Sequence, residues 1–149
     1  MSLQTDGYQT LMTFTSSLLT SNDEVSLLMH EEEVSPPGVE GGDAIKVTSM
    51  RNSAWHTFAP QSLKTLTDAG ALVSYDPELY EEMISMINDN QEITIQFPDS
   101  ETLVFWAFVK SFTPNAQVIG GKPTANIVIT PTNRDGDNSN AEIAPAYSD

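Results

Sequence analysis

The chain contains no cysteine, which excludes a disulfide framework, a thiolate metal site and a cysteine nucleophile. Histidine is nearly as scarce: His30 and His56 are the only two in 149 residues, and each reads as satisfying local polar contacts. No stretch matches a G-x-S-x-G elbow, a P-loop, an H-E-x-x-H helix or a dinucleotide fingerprint. Acidic pairs such as Glu81-Glu82 and Glu31-Glu32 have the chemistry for acid–base work, but nothing in the pattern places them in a cleft. The stretch Asp135-Gly136-Asp137-Asn138-Ser139-Asn140 faintly resembles a calcium loop, yet it lacks the glutamate at the twelfth loop position and the flanking helices. No enzyme, cofactor or metal is expected. No apolar run approaches the roughly 20 residues of a membrane helix. The first residues, Met1-Ser2-Leu3-Gln4-Thr5-Asp6, lack both a basic region and an apolar core, so the sequence reads as soluble and unexported.

Positive charge is the other scarcity. Six lysines and arginines stand against 21 aspartates and glutamates, a formal charge of -15 with a sequence pI near 4.1. Such a surface repels nucleic acid, because backbone affinity depends on cations displacing counterions. Two readings follow: acidity that keeps a concentrated protein soluble, or a surface that must not stick to DNA passing close by. Composition alone does not choose between them. The length suits one domain with one core.

What is present is mostly strand. Tyr8 to Phe14 and Val25 to His30 carry short strand signals, parted by Ser21-Asn22-Asp23-Glu24. Glu31-Glu32-Glu33, Ser35-Pro36-Pro37-Gly38 and Glu40-Gly41-Gly42-Asp43 then read as a long loop, the tip of an extended hairpin that resumes at Ala44 to Ser49. Loops of that length in compact domains are usually functional. Trp55 and Phe58 read as plugs between a loop and the core. Thr65 to Tyr75 reads as a strand bent at Asp68-Ala69-Gly70. The local pattern predicts a helix over 77–88, with Asp76 as N-cap and Pro77 in the first turn. Leu79, Tyr80, Met83, Ile84, Met86 and Ile87 fall in a stripe about 160° wide, opposite Glu78, Glu81, Glu82, Ser85, Asn88 and Asp89. Ile93, Ile95 and Phe97 then alternate with Glu92, Thr94 and Gln96. Leu103 to Phe112 is apolar on both faces, so both need cover. Ala125, Ile127 and Ile129 alternate again before Pro131. The expected fold is mainly β, an antiparallel sandwich or barrel with one packed helix. A domain over 1–131 is followed by an acidic extension over 132–149 whose composition is that of a disordered tail.

The order of these pieces resembles the major tail tube proteins of long-tailed bacteriophages. The resemblance rests on Trp55-His56-Thr57-Phe58-Ala59-Pro60 and on Thr67-Asp68-Ala69-Gly70-Ala71-Leu72-Val73-Ser74-Tyr75-Asp76-Pro77. It continues through Glu92-Ile93-Thr94-Ile95-Gln96-Phe97-Pro98-Asp99-Ser100 and Ser111-Phe112-Thr113-Pro114, covering roughly residues 45–131. Ser100 stands where that family commonly has a turn glycine. Tube proteins of contractile tails and type VI secretion are similar in fold.

The resemblance implies hexameric rings of this chain stacked into a tube, placed in the virion tail and assembled in the host cytoplasm. Tape measure and terminator proteins would be its other partners. Genomic DNA would pass through without specific binding, and no membrane is implied. It gives Glu31, Glu32, Glu33, Pro36, Pro37, Glu40 and Asp43 as an inter-ring loop. The outward set Glu92, Thr94 and Gln96, with Asp68, is expected to line the lumen; facing outside solvent is the alternative. Two competing readings are a terminator or connector that makes one ring, and a monomeric binding sandwich.

Overall fold

The computed structural model describes residues 10–15, 31–75 and 77–148. Its body is a seven-stranded antiparallel sheet built where the apolar alternation is strongest. In chain order the elements are β1 (Leu11–Phe14), β2 (Glu31–Ser35), β3 (Val39–Glu40), β4 (Ile45–Lys46), β5 (Phe58–Ala59), β6 (Thr65–Leu66) and β7 (Ala69–Ser74). These are followed by α1 (Pro77–Met86), β8 (Gln91–Gln96), β9 (Thr102–Pro114), β10 (Thr124–Pro131), β11 (Arg134–Asp135), β12 (Ala141–Glu142) and β13 (Ala146–Ser148). The strand order is β1-β8-β9-β10-β7-β2, with β13 also on β9. The two end strands approach each other: the Met12 amide donates to Glu31 Oε1 at 3.1 Å. The sheet thus curls into a barrel-like body whose seam is bridged by a carboxylate, which blunts both edges.

One face of the alternation fills the interior. Met12, Phe14, Ala69, Ala71, Val73, Ile93, Ile95, Phe105, Ala107, Val109, Ala125, Ile127 and Ile129 are buried together. Gly70 lies where β7 and β10 run closest, since a Cβ there would stand 2.9 Å from the Ile127 carbonyl oxygen. From α1, Leu79, Met83 and Met86 join this core, while Tyr80 and Ile84 remain exposed. The predicted stripe is therefore wider than the face of α1 that the fold buries. Asn88 ends the helix in the left-handed region, φ 65°, a conformation asparagine tolerates better than most residues. Its amide donates to the Val109 carbonyl. Asp76, the expected cap, lies outside the described residues, as do Val25 to His30 and the start of the Tyr8 to Phe14 strand.

β9 organises the rest. One edge pairs with β8 along Thr102–Ala107 and then with the end of the helix. The other edge pairs with β10 from Ala107 to Pro114 and with β13 from Thr102 to Val104. Between them, the Thr132 amide donates to the Trp106 carbonyl. The chain after Pro131 is consequently bound to its own sheet, contrary to the disorder its composition suggests. β11 and β12 form a small hairpin, in which the Asp135 carboxylate accepts from the Asp137 amide. That hairpin covers Trp106 on the outer face of β9, with Gly136 against the indole.

The stretch Glu31 to Asp43 is not one loop. Glu31–Ser35 is a strand of the body, paired with β7, because the three glutamates sit at the barrel's edge where their side chains stay accessible. The excursion begins at Pro36, and its two arms run as β3 with β6 and β4 with β5. Its tip is the turn around Ser49 to Asn52, beyond the Val47–Thr57 backbone bond.

Candidate assembly surfaces

Two surfaces have chemistry that a single folded copy does not use. The first is the arm from Pro36 to Asp68. Asn52 orders its tip: the side-chain oxygen accepts from the Ser49 amide at 2.9 Å, and the side-chain amide donates to the Trp55 carbonyl at 2.8 Å. Thr48 Oγ1 accepts from the Thr57 amide at 2.9 Å. These bonds use short polar side chains and leave the large apolar ones outside. Met50 is fully exposed, Trp55 81% exposed and Leu63 80% exposed; Val39, Ile45, Val47 and Phe58 are exposed as well. Trp55 and Phe58 therefore do not plug the core. A two-stranded ribbon is marginal in water without cover, and seven large apolar side chains stand exposed on this one arm.

Charge divides the arm lengthwise. Residues 44–58 contain Lys46 and Arg51 and no acid, a local charge of +2. Its root, residues 36–43 and 59–68, carries Glu40, Asp43 and Asp68 against Lys64, which sums to -2. Three of the chain's six cations thus lie on the arm, and the rest of the protein holds the whole net -15. Beside the root is an apolar groove of about 480 Å³ between Val39, Leu63 and Leu66 on one side and Glu142, Ile143 and Pro145 on the other.

The second surface is the outer face of β1, β8, β9 and β13. The register places Leu11, Gln96, Thr102 and Ser148 in one row and Thr13, Thr94, Val104 and Ala146 in the next. In a protein of this charge both rows are uncharged. Glu92, opposite Trp106, closes the same face in a polar cleft with Thr15, Asp89 and Asp137. Glu92, Thr94 and Gln96 thus belong to one surface. Asp68 does not: it precedes β7, three strands from β8 in the sheet order. Glu31, Glu32 and Glu33 are also separated from the arm, with Glu31 at the seam and Glu32 paired with Lys122. The arm's tip and the β13 row were missed from the sequence; the run of exposed-type turn residues around Asn52 between apolar neighbours was the available signal.

No family model and no curated protein matches the chain. Solved structures do. A chain from the tail of an empty gene transfer agent particle, determined with C6 symmetry, aligns with TM-score 0.64 at 9% identity, covering 98% of this chain and 100% of that one. A chain of the sheath/tube terminator of an extracellular contractile injection system aligns with TM-score 0.65 at 13% identity, over 99% of each. A third, from the baseplate of the anti-feeding prophage, aligns with TM-score 0.63 at 8% identity, over 89% of this chain and 94% of that one. At these identities the likeness speaks for the fold, and it spans the arm and the C-terminal strands as well as the barrel. The chain has the fold of these tail, sheath/tube-terminator and baseplate chains.

Proposed function

We propose that this chain is the building block of a tail tube, forming hexameric rings that stack around a channel for DNA. The arm carries the reading: it presents seven large apolar residues that one copy leaves uncovered, as expected of a surface completed by a neighbour. The sixfold symmetry under which two of the similar chains were determined supports a ring of six. The arm from Pro36 to Asp68, including Pro37, Glu40 and Asp43, makes the contact between rings. The uncharged rows on β1, β8, β9 and β13, with Glu92 at their end, face the channel. Threonine, serine and glutamine offer phosphates no cation to bind, and the acidic surroundings repel them, so duplex DNA slides past. The finished tube belongs to a virion tail assembled in the host cytoplasm, beside tape measure and terminator proteins.

A second reading is a terminator that makes one ring and stops, favoured by the likeness to the injection-system terminator. Negative-stain microscopy of the purified protein separates them. Long tubes support the first reading, single rings the second, and isolated subunits neither.

A further inference from the structure

We propose that the groove at the root of the arm is the socket for the arm tip of a second copy. This rests on the tube reading above and names the partner surface it requires. A contact that joins unlike patches of identical subunits propagates head to tail, and an open stack results. The arm supplies the first patch, and its root together with Glu142 to Pro145 supplies the second. From Gly38 to Met50 an extended chain reaches up to about 40 Å at roughly 3.3 Å per residue. A copy displaced along the arm by that order of distance brings its own root to the tip of the first.

The two ends are complementary. The tip is convex, with Met50 and Trp55 exposed beyond its last backbone bond. The root groove is concave and lined by Leu63, Ile143 and Pro145, and its volume of about 480 Å³ is in the range that accepts a small ligand or a few large side chains. The tip bears +2 with no carboxylate and the root -2 over residues 36–43 and 59–68, while the charged side chains that line the groove itself are Glu142 and Lys64. In this arrangement Met50 and Trp55 enter the groove, and Arg51 pairs with Glu142. The same charges hold like ends apart, since two tips or two roots repel. A single arrangement therefore covers Met50, Trp55, Val39 and Leu63 and fixes the direction of stacking.

The cysteine-free chain allows a direct test. Met50→Cys and Ile143→Cys proteins are prepared separately, mixed, assembled and oxidised, with a Met50→Cys and Ile84→Cys mixture as comparison. Socket docking predicts a disulfide-linked dimer in the first mixture and none in the second, because the bond forms only when Cα atoms come within about 7 Å. Assembled tubes that cross-link through Ile84, or through neither position, overturn the socket and leave the tube reading intact. Wild-type protein that never assembles overturns both. Where a cysteine variant itself blocks assembly, charge reversal gives the answer. Arg51→Glu should raise the concentration needed for assembly at least about tenfold, and adding Glu142→Arg should restore it. A double variant no better than Arg51→Glu alone overturns the pairing.

Discussion

Gly136 lies against the indole of Trp106, so closely that a Cβ on Gly136 would stand 3.0 Å from the indole Cζ3. This contact lets the C-terminal hairpin close over the outer face of β9. Gly136→Leu should force the hairpin away and destabilise the subunit by about 1–3 kcal/mol, measured by chemical denaturation. Trp55 is already exposed, so an accompanying red shift in tryptophan emission would report Trp106. An unchanged emission maximum and midpoint would show that the hairpin does not shield the indole.

The turn between β8 and β9 holds a second local prediction. Ser100 adopts φ 69°, where its amide donates to the Phe97 carbonyl and the Phe97 amide donates to the Glu101 carbonyl. A side chain in the left-handed region costs about 1–2 kcal/mol. Ser100→Gly removes that cost but loosens the unfolded chain. The expected net is a stabilisation of up to about 1 kcal/mol, visible as a raised Tm. A lowered Tm would mean that the serine side chain contributes more than its backbone strain costs.

Much of the barrel could be read from residue order, and the reasons are local. Ile93 and Ile95 alternate with Thr94 and Gln96, and the α1 stripe repeats at helical spacing, so period alone indicates which side faces inward. Ala125, Ile127 and Ile129 repeat the strand pattern. The arm was not legible in this way. Its ladders, β3 with β6 and β4 with β5, are two residues each, too short for any period to show. Trp55 and Phe58 were expected inside because apolar residues usually find cover within their own chain; here the fold leaves them out. Glu31 to Glu33 read as loop because acids avoid central strands, and they lie on an edge strand that accepts them. The tail from Thr132 is polar, yet it holds to β9 through backbone bonds, which composition does not reveal.

Shortening the arm tests its role apart from the body. Replacing Thr48 to Thr57 with a two-residue Asn-Gly turn removes Met50, Arg51 and Trp55 without touching the buried core. The subunit should keep its circular dichroism and Tm but form no tubes longer than a ring. Normal tubes from this variant would make the tip dispensable.

The proposed channel face makes an electrostatic prediction. Gln96 is exposed on the uncharged rows, and Gln96→Lys would add roughly six positive charges per ring of six, each a cation for phosphate. Tubes of this variant should retain duplex DNA at low ionic strength and release it as salt rises, because screening and counterion competition weaken phosphate contacts. Wild-type tubes should retain none. Equal retention by both, at low and high salt, would place Gln96 away from the channel.

Whether this acidic chain builds a tube from copies of itself is decided by helical averaging of electron micrographs of the purified protein. The predicted result is a stack of sixfold rings, each arm crossing to the next ring and the β1-β8-β9-β13 face turned inward. A solution of single 16.3 kDa subunits at every concentration tried, with the arm still exposed, would contradict it.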